Sequence, residues 1–74
     1  MGKLPRVSGA DVVRTLESLG FIVARRRGSH IVMRRGAVGC VVPNHRGLKT
    51  GTLIGVLKQA GVTPEAFVEA FLSN

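Results

Sequence analysis

Apolar positions follow a helical spacing at both ends of the chain and a strand spacing in its middle. Val12, Val13, Leu16 and Leu19 recur at intervals that place them on one side of a helix. Ser8-Gly9-Ala10-Asp11 in front of them reads as a capping box with Ser8 at the N-cap, where a hydroxyl and an acid satisfy reciprocal backbone N–H groups. Gly20 supplies the left-handed position that ends a helix, which predicts a helix over roughly residues 9 to 19. Phe21-Ile22-Val23-Ala24-Arg25 is short and rich in β-formers and reads as a strand, followed by a turn at Arg27-Gly28. From Ser29 to Arg35 the pattern alternates, with Ile31 and Met33 on one face and His30, Val32 and Arg34 on the other. Gly36-Ala37 makes a second turn, and Val38 to Pro43 a third strand that the proline stops. Turns this short join antiparallel neighbours.

Helical spacing returns after the loop Asn44 to Lys49. A helix begins at Thr50 or Thr52, carries Leu53, Val56, Leu57 and Ala60 as an apolar stripe, and closes at Gly61. Thr63-Pro64-Glu65 is an N-cap followed by proline at the first helical position, and Phe67, Val68, Phe71 and Leu72 give a short last helix. The order α-β-β-β-α-α predicts a single domain over residues 1–74 of the α+β class. Its three-stranded antiparallel sheet has helices on one face, and the other face is open to water or a ligand.

Charge adds a direction to this picture. The formal net charge is +7, from 11 Lys and Arg against 4 Asp and Glu. The acids are Asp11, Glu17, Glu65 and Glu69, so no acid lies between Ser18 and Pro64. That stretch carries Arg25, Arg26, Arg27, Arg34, Arg35, Arg46, Lys49 and Lys58. A segment of one sign repels itself, and an anionic partner relieves the repulsion; polyphosphate chains are the commonest. No apolar run exceeds four residues, where a membrane span needs about 20. No apolar signal segment opens the chain, and Arg6 stands where a Met-Gly lipidation signal requires Ser or Thr. The single cysteine, Cys40, excludes an internal disulfide, and the set fits a cytoplasmic setting.

Gly28-Ser29-His30 is the sharpest local motif: a turn glycine sets a serine and a histidine at the start of a strand. Histidine is the side chain whose unperturbed pKa, about 6.5, suits proton transfer near neutrality. RNA carries its own nucleophile in the 2′-hydroxyl, so a nuclease needs a proton acceptor, a proton donor and positive charge near the phosphate. Taken alone the tripeptide is a weak signal, because a histidine there also serves to hydrogen-bond a neighbouring loop. His45 in Pro43-Asn44-His45 is either the other half of an acid–base couple or an ordinary loop residue. His30, Cys40 and His45 lack a fourth ligand and metal-site spacing, so no metal is expected. Arg25, Arg26 and Arg27 run straight into the motif and suit phosphate oxygens, and Arg34 shares the face of His30. Gly47 to Thr52 fails the phosphate-loop pattern, yet a basic glycine-containing loop with Arg46 and Lys49 at a helix start suits a backbone phosphate. All three phenylalanines look like core residues, which argues against a binder built on base stacking.

Several segments in this order resemble one family: Leu4-Pro5, Ser8-Gly9, Leu19-Gly20-Phe21, Gly28-Ser29-His30, Pro43-Asn44-His45, Leu48-Lys49-Thr50-Gly51-Thr52-Leu53 and Leu57-Lys58-Gln59-Ala60-Gly61-Val62. The chain is similar over nearly its whole length to the HicA toxins, also called the YcfA family, of bacterial toxin–antitoxin pairs. The resemblance implies a fold like the double-stranded RNA-binding domain. It also implies an mRNA interferase, a ribosome-independent endoribonuclease that arrests translation. It places the catalytic histidine at His30, implies a HicB antitoxin that covers the active face, and implies no metal or organic cofactor. The hairpin turn Arg35-Gly36-Ala37-Val38 is shorter than in many members, and Cys40 stands where a polar or β-branched residue is usual. Two other functions fit the residues: a non-catalytic double-stranded RNA-binding module, for which Lys49 is the lone lysine at the start of the helix after the sheet, and a subunit whose basic face meets an acidic protein.

Overall fold

A computed structural model describes residues 4–74; the Met1-Gly2 start, on which the lipidation reading rests, lies outside them. The chain runs α1 (Gly9–Ser18), β1 (Ile22–Arg27), β2 (His30–Arg35), β3 (Val38–Pro43), α2 (Thr50–Ala60) and α3 (Pro64–Ser73). The strands form one antiparallel sheet in the order β1-β2-β3, so the α+β meander is present as expected. Among the described residues no helix is long and apolar enough to cross a membrane.

Helix ends follow their sequence signals. Ser8 and Asp11 form the capping box, each side chain accepting the other's backbone N–H at 3.0 Å. That hydrogen bond from the Ser8 N–H is the main reason the Asp11 carboxyl titrates below its ordinary range. α1 and α2 end alike. Phe21 N–H donates to the Leu16 carbonyl past Gly20, and Val62 N–H donates to the Leu57 carbonyl past Gly61, which sits at φ 69°. Thr63 caps α3 by accepting the Ala66 N–H.

The helices cover one face of the sheet. Ile31, Met33, Cys40 and Val42 are buried there against Val12, Leu16, Leu53, Leu57 and Phe67 in a single core. Burial pushes the Cys40 thiol pKa up. α3 lies against α1 and α2 instead of the sheet. It therefore buries Phe67 and half-buries Phe71, but leaves Leu72, expected in its apolar stripe, 74% exposed.

The first strand departs from expectation. It starts at Ile22 and runs on to Arg27, because pairing with β2 continues to Arg27↔His30, and the turn moves one residue on, to Gly28-Ser29. Phe21 precedes the strand, buried, with the Arg35 guanidinium 4.7 Å above its ring. The register also shifts between Val23 and Arg25, leaving Ala24 as the extra residue of a bulge. Val23 faces Met33 on the core side, and strict alternation from it would turn Arg25 and Arg27 inward. The bulge resets the count, so Arg25 pairs with Val32 and Arg27 with His30, on the open side.

Candidate functional site

The open face of the sheet is read from the register. One cross-strand row holds Arg27, His30 and Pro43; the next holds Arg25, Val32 and Val41; a third holds Ile22, Arg34 and Gly39. Side chains directly opposite in such rows have Cβ atoms about 4.5–5.5 Å apart, and diagonal neighbours about 7–8 Å. His30 thus stands beside Arg27 and diagonal to Arg25. Arg34 shares its face but lies four residues along the strand, about 13 Å away.

His30 is placed by the backbone at the start of β2. Gly28 turns the chain at φ 59°, a conformation open to glycine. The Ser29 carbonyl accepts the Asn44 N–H at 2.6 Å, which carries the β2–β3 pairing one residue past His30↔Pro43. The imidazole is exposed, as are Arg25, Arg27 and Arg34. All four acids lie on α1 and α3, none on the sheet or its loops. Among the described residues the one ion pair is Arg14 with Asp11, on α1. The guanidinium groups around His30 therefore face the solvent with no carboxylate to neutralise them, an arrangement suited to phosphate. Ile22, Val32 and Val41 give this face apolar contact surface as well.

Not every candidate joins this cluster. Arg26 pairs with Ile31 across the sheet and so lies on the helix-covered side, beside Val13, Glu17 and Asn44. His45 follows two residues after Pro43, the partner of His30, at the same end of the sheet; it is exposed, and Arg46 follows it, exposed too. Lys49 stands at the N-cap of α2, which has no side-chain cap, and shares a groove with Arg6 that His30 does not line. Cys40 is 3% exposed and on the core face, so it cannot join His30 in a common site.

Two residues passed over in the sequence hold this architecture. The Gly9 N–H donates to the His45 carbonyl at 2.8 Å, while Leu48 N–H donates to the Val7 carbonyl at 2.8 Å, so the loop from Asn44 to Lys49 is tied down at both ends. A side chain at Gly9 would run into the Pro43 carbonyl oxygen and the Asn44 backbone. Its signal was a glycine inside the first turn of a helix, where the capping box does not need one. Gln59 of α2 accepts the Val41 N–H at 3.0 Å and so occupies an outward donor of the edge strand β3.

No curated protein matches the chain. The family model described as HicA toxin of bacterial toxin-antitoxin matches residues 9–62, which run from the first residue of α1 past the end of α2 and include all three strands. The match takes in His30, the bulged arginine strand and the tied loop, and the chain belongs to the HicA toxin family of bacterial toxin–antitoxin systems.

Proposed function

We propose that this toxin is a metal-independent endoribonuclease, an mRNA interferase that cleaves cytoplasmic mRNA and arrests translation, with His30 as general acid or base. The observation that carries the reading is the bulge at Ala24, which gathers Arg25 and Arg27 onto the face of His30, in a sheet that carries no acid. The 2′-hydroxyl of the substrate attacks the adjacent phosphorus and loses its proton. The bond from phosphorus to the 5′-oxygen breaks, and that oxygen takes up a proton. The products are a 2′,3′-cyclic phosphate and a 5′-hydroxyl. His30 moves one of these protons, a contribution of about 10²- to 10⁴-fold in rate. His45 at the same end of the sheet, or solvent, moves the other. Arg25 and Arg27 stabilise the charge that grows on the phosphoryl oxygens, and Arg34 holds a phosphate further along the strand. The ribose supplies the nucleophile, so the reaction as drawn uses no cofactor.

The partner that suits this face is a HicB-type antitoxin, which covers His30 and its arginines. Expression of wild type against His30→Ala tests the reading. Wild type is expected to stop growth and degrade mRNA, and the variant, at equal abundance, to do neither. Arrest and degradation by the variant at the wild-type level would end the assignment. A protein that binds duplex RNA and returns it uncut would instead be the non-catalytic module, gripping through Lys49 and Arg6.

A further inference from the structure

The bulge divides the arginine run, and Arg26, the residue it turns the other way, has no part in the cluster around His30. It opens onto a groove between α1 and the end of the sheet. Val13 and Ile31 form an apolar floor, both buried, at 8% and 3% exposure. Arg26, Glu17 and Asn44 stand around it. Arg14 also borders the groove, but Asp11 holds its guanidinium at 2.7 Å.

This groove adjoins the candidate catalytic end. Ile31 follows His30, Arg26 precedes the cross-strand partner of His30, and the Asn44 N–H is bonded to the Ser29 carbonyl. A strand of RNA passing over the β1 edge from the open face arrives at it. The rim offers donors from Arg26, an acceptor from Glu17, and both from the Asn44 amide. A bare phosphate or an acidic side chain would be opposed by Glu17 and would gain nothing from the floor. An aliphatic side chain would leave the polar rim unanswered. An unpaired nucleobase has apolar faces and a donor–acceptor edge, which answers both.

We propose that the groove is a base-recognition subsite for an unpaired nucleobase flanking the cleaved phosphodiester, with Asn44 and Glu17 reading its edge and Arg26 holding its phosphate or ring face. The proposal rests on the reading of the chain as an RNA-cleaving protein, and the experiment separates the two. The intact chain carrying His30→Ala is titrated with an unstructured RNA oligonucleotide and followed by NMR. The Val13 and Ile31 methyls and the Asn44 side-chain amide are expected to shift together with Val32 and Val41 of the open face. Shifts confined to Val32 and Val41 would leave RNA binding standing and overturn the subsite; no shift at all would overturn both. Equal groove shifts with polyglutamate would assign the groove to an acidic protein and overturn the proposal. In the chain with His30 intact, Asn44→Ala and Glu17→Gln, both at exposed positions, are expected to redistribute the cut sites along one long RNA by about tenfold at the favoured base. An unchanged cut-site profile would overturn the subsite while cleavage itself upheld the nuclease.

Discussion

Strand β2 has two faces with opposite chemistry. Ile31 and Met33 are 3% and 0% exposed and, with Cys40 and Val42 on β3, are sealed under the helices. His30, Val32 and Arg34 alternate with them and look outward among arginines. In a domain of this size the core is thin and the margin of stability small. The covered face therefore has to carry the fold, including the self-repulsion of a chain at +7, while the open face carries arginines and no acid. The two faces should separate under mutation: damage to one unfolds the protein, and damage to the other silences it.

The largest effects belong to the covered side. Phe67→Ala removes a fully buried ring at the junction of α3 with α1 and α2, and a loss of about 3–5 kcal/mol is expected in urea unfolding, enough to leave much of the protein unfolded. A loss under about 1 kcal/mol would show that α3 is dispensable to the core. Gly9→Ala comes next. Its methyl group meets the Pro43 carbonyl, so the tied loop must shift, at a cost of about 1–3 kcal/mol. Its disturbance of the amide resonances is expected to centre on Ser29 and Asn44 at the site end of the sheet, whereas Phe67→Ala disturbs the whole chain.

Asp11→Ala removes the carboxylate half of the capping box and leaves the Ser8 hydroxyl still accepting the N–H of residue 11, for about 0.5–1 kcal/mol and a fall of about 2–8 °C in Tm. The folded carboxyl titrates below its unfolded value, chiefly through the hydrogen bond from the Ser8 N–H. Its stabilisation is thus fully present above the unfolded pKa of about 3.9 and disappears as pH falls through the lower folded value. The stability gap between wild type and variant should close below about pH 3.9; a gap that widened there would reverse the sign of the assignment. Cys40, buried on the covered side with its thiol pKa raised, should resist alkylation in the native chain at neutral pH and react once urea is added. Prompt native labelling would place it on the wrong face. The smallest effect on stability is expected at Arg34→Ala, within about 0.5 kcal/mol of wild type, although RNA affinity should fall and its salt slope weaken by about one unit.

Most of the covered face was legible because burial and capping leave local marks. The box at Ser8 and Asp11, the closing glycines at Gly20 and Gly61, and the alternation from Ser29 to Arg35 each specify a backbone state within a few residues. The open face was only half legible. His30, Val32 and Arg34 follow from alternation along β2, but the division of the arginine run does not. It depends on the Ala24 bulge, and an alanine among β-formers carries no sign that the register will slip there. Lys49 was legible at a helix start because the loop before it ends where helical spacing returns, and it stands at the N-cap of α2; that it shares a groove with Arg6 was not, since that depends on the loop being tied to the segment before α1. Leu72 helped mark the last helix, which is present, yet helical spacing does not tell which of its apolar residues are buried, and Leu72 is exposed.

The central claim is that His30 on the open face transfers a proton to cut RNA through the ribose hydroxyl. Purified wild type and His30→Ala, matched in Tm, are given one oligonucleotide sequence as ribose and as 2′-deoxyribose strands. Wild type should cut the ribose strand to a 2′,3′-cyclic phosphate end and leave the deoxyribose strand whole, and the variant should cut about 10²- to 10⁴-fold more slowly. Cleavage of the deoxyribose strand, or a His30→Ala chain as fast as wild type, would contradict it.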